Sequence, residues 1–272
     1  MGSYLDAKHN NGIWLVRIED IDTPRCVPGA ADDILRTLEI FGLHSDEPVI
    51  YQSQRTSAYE ESLQRLKDLG SAYRCGCTRK EIADSALHGI EGPVYPGTCR
   101  NGIPAGRNGR AWRVLTDNHE TGFDDALQGH MAQHLETEIG DFVVKRADNL
   151  FAYQFAVVVD DAYQGITHVV RGADLLASTP RQIHLQRLLG FSTPAYMHLP
   201  VAVNGHGEKL SKQTLAAPVK INNTCAMLYR VLLFLGQQPP AKVREGSTKE
   251  LLDWAVNHWN PAATRNIRKI AI

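Results

Sequence analysis

Apolar and polar positions follow recognisable periods along most of the chain. Gly12 to Asp20, GIWLVRIED, is a short apolar run with a charged end. It predicts a buried strand that delivers Glu19 and Asp20 to its C-terminal tip. From Pro28 to Phe41, apolar residues at Ala31, Ile34, Leu35, Leu38 and Phe41 trace a helical stripe closed by Gly42. A second helix is predicted from about Thr56 to Leu69, with Tyr59, Leu63, Leu66 and Leu69 as its buried face and Gly70 as its end. Residues 73–110 lose the period and are rich in Cys, Gly, Pro and Arg, which marks an insertion or small subdomain. Beyond them RAWRVL and GDFVVKRAD read as strands. FAYQFAVVVDDAYQGITHVVRGADLL reads as a short helix, a turn at Gly165 and a strand from Ile166 to Val170.

Ser178-Thr179-Pro180 predicts a helix start, with a hydroxyl N-cap and proline at the first helical position, and that helix ends at Gly190. HLPVAVNGHGEKLSKQ reads as a strand, an Asn-Gly turn and a loop. From about Thr224 the chain is predicted helical, with Ser247-Thr248-Lys249-Glu250 as a capping box before LLDWAV. Strands alternating with helices place the chain in the α/β class.

Composition narrows the function classes little. The chain has 272 residues, of which 43% are hydrophobic and 22% charged, which is ordinary for a globular protein. No apolar run approaches the ~18 residues needed to cross a bilayer, so no membrane partner is expected. MGSYLDAKHNNG lacks the apolar core of a secretion signal. The net charge of −1 neither requires nor excludes a nucleic-acid partner, although six Lys/Arg against three Asp/Glu lie between Lys242 and Ile272.

Three features can carry chemistry. Cys75, Cys77 and Cys99 form a cluster that reads as a metal site in a reducing compartment, or as buried apolar thiols. Tetrahedral zinc needs a fourth ligand. Ligand chemistry favours His88, whereas spacing favours Tyr95 in VYPGTC. Lys209, Ser211 and Lys212 in GEKLSKQ can hold a polyphosphate, or can be solvated surface. Glu19, Tyr153 and Arg171 are polar groups in apolar surroundings. Arg171 can grip a carboxylate and Glu19 can accept from an ammonium group. The alternative is that Glu19 and Arg171 pair with each other or with Asp160, Asp161 or Asp174.

LVRIEDIDTPRCVPGA, VDDAYQGITHVVRGADLLASTPRQIHL and EKLSKQ, in that order, resemble the catalytic domain of class I glutamyl-tRNA synthetases, up to about Pro218. RCGCTRKEI followed by VYPGTCR, with a short C-terminal part, resembles the glutamyl-Q tRNA(Asp) branch of that family. The resemblance implies a Rossmann-like class I aminoacyl-tRNA synthetase catalytic domain over residues 1–220, with a zinc-binding insertion at 73–110. Residues 221–272 would form a short helical tail without an anticodon-binding domain.

It also implies that KLSKQ stands for the KMSKS signature, with Lys212 as the catalytic, ATP-contacting lysine beside Lys209 and Ser211. Glu19, Tyr153 and Arg171 would bind glutamate, and Tyr95 would complete a zinc site with Cys75, Cys77 and Cys99, His88 being the alternate. ATP with Mg2+ would activate glutamate for transfer to queuosine in tRNA(Asp), in a cytoplasmic enzyme expected to be a monomer. Arg265, Arg268 and Lys269 would touch phosphates or serve as ordinary surface charge.

The family also carries an N-terminal HIGH-like motif, of the form RFAPSPSGxLHxGxL in this branch, which does not occur here, so the first strand of the Rossmann sheet is expected to be absent. The favoured expectation is that Met1 is internal to a longer natural protein. The alternatives to that start are a truncated gene whose product folds poorly or is inactive, and a shorter form kept for a non-catalytic role such as binding tRNA. For the function, the alternatives are an inactive truncated remnant that binds tRNA and a truncated glutamyl-tRNA synthetase.

Overall fold

The structure is a computed structural model, and it describes residues 1–84, 88–89, 92–210, 219 and 221–272, without the side chain of His88. Among these, strands and helices alternate in mixed sheets, as the α/β pattern predicts. The layout that positions the site rests on two sheets. In one, the strands Ala72–Cys75, Ala111–Val114 and Phe142–Lys145 run antiparallel. In the other, His168–Gly172 pairs in parallel with Ala195–Leu199. Ala195–Leu199 in turn meets the hairpin of Glu120–Asp125 and Gly129–His134 at the single pair Tyr196–Asp125. The hairpin was not foreseen, because ETGFDDALQGHMAQH has weak apolar alternation.

Helix Thr56–Asp68 packs Tyr59, Leu63 and Leu66 into a core shared with helices Tyr153–Tyr163 and Thr179–Leu189. Glycines stop several helices in the left-handed region, among them the predicted Gly42 (φ 71°), Gly70 (φ 66°) and Gly190 (φ 65°). Leu69, expected inside, is 57% exposed, because it lies past the last turn of its helix. Ile34 is 52% exposed on helix Ala30–Ile40, whose apolar stripe is only partly covered.

Three further expectations are corrected. The predicted strand from Gly12 to Asp20 contracts to Arg17–Ile18, paired in parallel with Ile50–Tyr51. Upstream of it, the N–H groups of Trp14 and Val16 donate to the Asp46 carboxylate and the Ser45 hydroxyl, so side chains replace a ladder. Ser178 makes no side-chain cap, because a 3-10 turn over Ala173–Ser178 runs directly into the helix. The tail is not all helix: Lys269–Ala271 adds in parallel to Val201–Val203.

The tail helices Thr224–Phe234 and Thr248–Asn257 share a second core with the first helix, Gly2–His9, through Leu228, Leu232, Leu251 and Leu5. The capping box at Ser247 and Glu250 is present with both reciprocal bonds. No described helix is long and apolar enough to cross a membrane.

Candidate active site and metal cluster

Glu19 follows the short strand Arg17–Ile18, Tyr153 opens helix Tyr153–Tyr163, and Arg171 lies near the end of strand His168–Gly172. Two of the three therefore sit at carboxyl ends of parallel strands, where open α/β sheets place their ligands. The Glu19 side chain is 39% exposed. Protein atoms nevertheless surround it, and this burial, helped by the neighbouring Asp161 charge, raises its carboxyl above the usual range against the pull of Arg17. Burial also raises the Tyr153 phenol. The charge of Glu19 pushes it further up and that of Arg171 pulls it back, so all three share one electrostatic neighbourhood.

Glu19 and Arg171 do not pair with each other. Arg17 donates to Glu19 at 3.4 Å, to Asp161 at 2.8 Å and to Gln164 at 2.9 Å, and so ties Glu19 and Asp161 to one guanidinium. Asp160 is fully buried and accepts from Gln52, Arg55 and Tyr59. Asp174 accepts from Lys209 at 2.5 Å. Each of the three aspartates weighed as a partner for Arg171 is hydrogen-bonded elsewhere. Arg171 instead donates through Nε to His198 Nε2 at 3.0 Å and through one Nη to Thr179 Oγ1 at 2.9 Å. Its other terminal nitrogen has no partner among the described residues. The guanidinium lies 5.6 Å from the centre of the Tyr196 ring.

The lysine loop is reached from strand Val201–Val203 through a turn in which the Asn204 side chain accepts from the N–H groups of His206 and Glu208. Lys209 forms a bridge back to Val203. Ser211 and Lys212 lie outside the described residues.

The cysteines converge. Cys75 ends strand Ala72–Cys75, and the Cys77 N–H turns back to its sulfur at 3.4 Å. The three sulfurs all lie within 4.8 Å of one another, with Cys77 and Cys99 at 3.7 Å. The Tyr95 oxygen is 3.4 Å from the Cys75 sulfur and 3.8 Å from that of Cys77, and it accepts the Cys99 N–H at 2.9 Å. Zn–S bonds of ~2.3 Å at tetrahedral angles require sulfurs roughly 3.8 Å apart, so three thiolates and a phenol here fit such an ion.

Burial alone would raise the Cys75 thiol, but hydrogen bonds involving Tyr95 and Arg113 outweigh it and hold the thiol below its ordinary value. Burial, reinforced by the sulfurs of Cys75 and Cys99, pushes Cys77 up to about 11. Burial raises the Tyr95 phenol strongly. Arg113 is itself buried, 3.8 Å from the centre of the Tyr95 ring. The His88 side chain lies outside the described residues.

Arg17, Arg113, Asp125 and His198 were missed as contributors. A bare arginine or histidine inside an apolar strand was the available signal, but nothing local says which distant acid meets it. Asp125 and His198 form a fully enclosed polar pair. His198 Nδ1 is 2.6 Å from Asp125, and both side chains have no exposure. Burial would raise the Asp125 carboxyl. Hydrogen bonds from His198 and from the N–H groups of Gln128, Leu127 and His198 outweigh it, and hold it below the usual carboxylate range.

Residues 1–236 match the catalytic domain of class I tRNA synthetases (E and Q). The glutamyl-Q tRNA(Asp) synthetase of Dechloromonas aromatica (strain RCB) is 61% identical over 261 residues, covering 95% of this chain and 87% of that protein. The protein of the same name from Aromatoleum aromaticum is 55% identical, covering 96% and 82%. Among solved structures, the glutamate-tRNA synthetase from Elizabethkingia anophelis has a TM-score of 0.77 at 22% identity, covering 99% of this chain and 63% of that one. A glutamate tRNA ligase from Elizabethkingia meningosepticum gives 0.75 at 23%, covering 98% and 62%. This chain thus spans less than two thirds of either solved chain, and the likeness to them is one of fold.

Proposed function

The chain belongs to the family of class I tRNA synthetases (E and Q), and from that premise we propose that it activates glutamate with ATP and transfers it to queuosine at the wobble position of tRNA(Asp). The reading is carried by the placing of Glu19 and Arg171, opposite in charge, about one phenol, Tyr153. Free glutamate brings an ammonium group and carboxylates. Glu19 accepts from the ammonium group, Arg171 donates to a carboxylate, and Tyr153 closes the wall between them. Arg17 holds the Glu19 carboxylate by a contact of 3.4 Å.

In the first step an oxygen of the glutamate α-carboxylate attacks the α-phosphorus of ATP. The bond to the bridging oxygen breaks and pyrophosphate leaves with its electron pair. Lys209, Ser211 and Lys212 would neutralise the charge that grows on the polyphosphate, with Lys212 as the catalytic lysine. ATP arrives as its Mg2+ complex, and Lys209 exchanges Asp174 for a phosphate. In the second step a hydroxyl of the queuosine cyclopentene-diol attacks the glutamyl carbonyl, and AMP leaves. Arg265, Arg268 and Lys269 are available to tRNA phosphates.

Cys75, Cys77, Cys99 and Tyr95 would hold zinc, which when bound supplies a structural cross-link rather than a chemical step. The carrying experiment is glutamate-dependent ATP–pyrophosphate exchange, followed by transfer of labelled glutamate to queuosine-bearing tRNA(Asp) and to tRNA(Glu). Transfer to tRNA(Asp) alone is expected. Transfer to tRNA(Glu) instead would favour a glutamyl-tRNA synthetase, and absent exchange would remove the activation step.

A further inference from the structure

Arg171 has a long, flexible stem, and a substrate-gripping guanidinium must be held in one plane to be of use. The structure places two of its five N–H groups on fixed acceptors, His198 Nε2 and Thr179 Oγ1. Because Arg171 Nε can only donate, His198 Nε2 must accept, and the imidazole proton must reside on Nδ1. That proton points at Asp125, 2.6 Å away. The Asp125 carboxylate is in turn locked by three backbone N–H groups, from Leu127 at 3.0 Å, Gln128 at 2.9 Å and His198 itself at 3.2 Å. His198 also sits directly opposite Arg171 in the parallel register, so the contact is built into the sheet. Every member of the chain from the hairpin turn to Arg171 thus has one hydrogen-bond polarity. A reversed imidazole would set an N–H against the Arg171 N–H.

We propose that His198 and Asp125 are positioning residues for glutamate recognition, a buried relay that fixes the imidazole tautomer and thereby the plane of Arg171. Their effect falls on the free edge of Arg171, which faces the substrate, and leaves the ATP side untouched. The inference rests on the reading that Arg171 grips a glutamate carboxylate.

Two shortened side chains separate the parts of the relay. In His198→Asn the amide nitrogen replaces Nδ1 and keeps the bond to Asp125, but nothing replaces the acceptor for Arg171. In His198→Gln the amide oxygen reaches the place of Nε2 and restores that acceptor. The test is glutamate-dependent ATP–pyrophosphate exchange by the full chain, with KM measured separately for glutamate and ATP, beside thermal melts. Wild type, H198N, H198Q and Arg171→Lys are compared.

The expected result is a glutamate KM raised about tenfold in H198N, the scale of one lost charge-assisted hydrogen bond. The ATP KM should be unchanged and H198Q should return most of the loss. If R171K raises the glutamate KM while H198N does not, or if H198N shifts both KM values alike, the relay is overturned and the role of Arg171 stands. If R171K itself leaves the glutamate KM unchanged, or wild type shows no exchange, the substrate assignment falls and the relay with it.

Discussion

Arg100 grips Asp141 with two parallel N–H···O contacts of 2.7 Å each, and so ties the residue next to Cys99 to the antiparallel sheet. Asp141 is 1% exposed and also accepts from Tyr73 at 2.6 Å and from the Thr116 N–H at 2.8 Å. Removing Arg100 leaves that carboxylate buried without its counter-charge, which costs ~3 kcal/mol. Arg100→Ala should therefore lower the denaturation midpoint clearly at neutral pH.

The same pair fixes a pH dependence. Burial would raise the Asp141 carboxyl, but its bonds to Arg100, Tyr73 and Thr116 outweigh this and depress it. A depressed folded value means that the contribution is complete above the unfolded value of ~3.9 and is lost as pH falls below it toward the folded value. The stability gap between wild type and Arg100→Ala should close on acidification below about pH 4. A gap of constant size across that range would contradict the assignment.

Gly140 backs the cysteine cluster proposed to hold zinc. Its φ is +73°, and a Cβ there would stand 2.5 Å from the Tyr95 carbonyl oxygen and 2.8 Å from the Tyr95 nitrogen. Gly140→Ala must push the Tyr95 backbone away and carry the phenol off its place between the cysteines. Zinc affinity, read by chelator competition, should fall by about tenfold or more. An unchanged affinity would mean that Tyr95 is not a ligand.

Stripping the metal should loosen the cluster before the rest of the protein. Structural zinc contributes folding free energy directly. Chelation, or Cys99→Ser, should raise hydrogen exchange in residues 72–83 and 92–110, while helix Tyr153–Tyr163 in the main core keeps its protection. Equal exchange in both regions with and without zinc would show that no metal acts there.

Glu19 should impose an acid limit on glutamate binding. Burial raises its carboxyl, and a protonated carboxyl is a poor partner for an ammonium group. Affinity should therefore be full above the raised value and fall as pH drops through it. Glu19→Gln should weaken glutamate binding about 10- to 100-fold and flatten that pH profile. A profile that keeps its slope in the variant would assign the titration elsewhere.

Leu66 and Leu69 look alike in the apolar pattern and differ in place. Leu66 is fully buried and Leu69 is 57% exposed. Leu66→Ala should cost ~2–5 kcal/mol through the cavity it leaves, and Leu69→Ala under ~0.5 kcal/mol. Urea midpoints of the two variants decide this.

Much was legible because it is local. A helical stripe, a glycine stop and a capping box act within a few residues, so helices Thr56–Asp68, Thr179–Leu189 and Thr248–Asn257 could be read directly from the chain. The family motifs, too, are contiguous, and the close spacing of Cys75 and Cys77 pointed to a cluster before any fold was known. The sequence by itself therefore determined the α/β class, the lineage and the residue types available for chemistry.

The tertiary structure decided which of those residues meet. Whether Gly12 to Val16 joins a ladder depends on its neighbours, and here Asp46 and Ser45 take the N–H groups of Trp14 and Val16. The tail strand Lys269–Ala271 exists only because Val201–Val203 offers an edge. Asp125 and His198 are 73 residues apart, and Arg171 reaches them only across a sheet register. A long-range charge pair is selected by geometry and by the cost of leaving a buried polar group unpaired. Neither has a periodic signature in the chain, so the partners of Glu19 and Arg171 became visible only once the strands were in place.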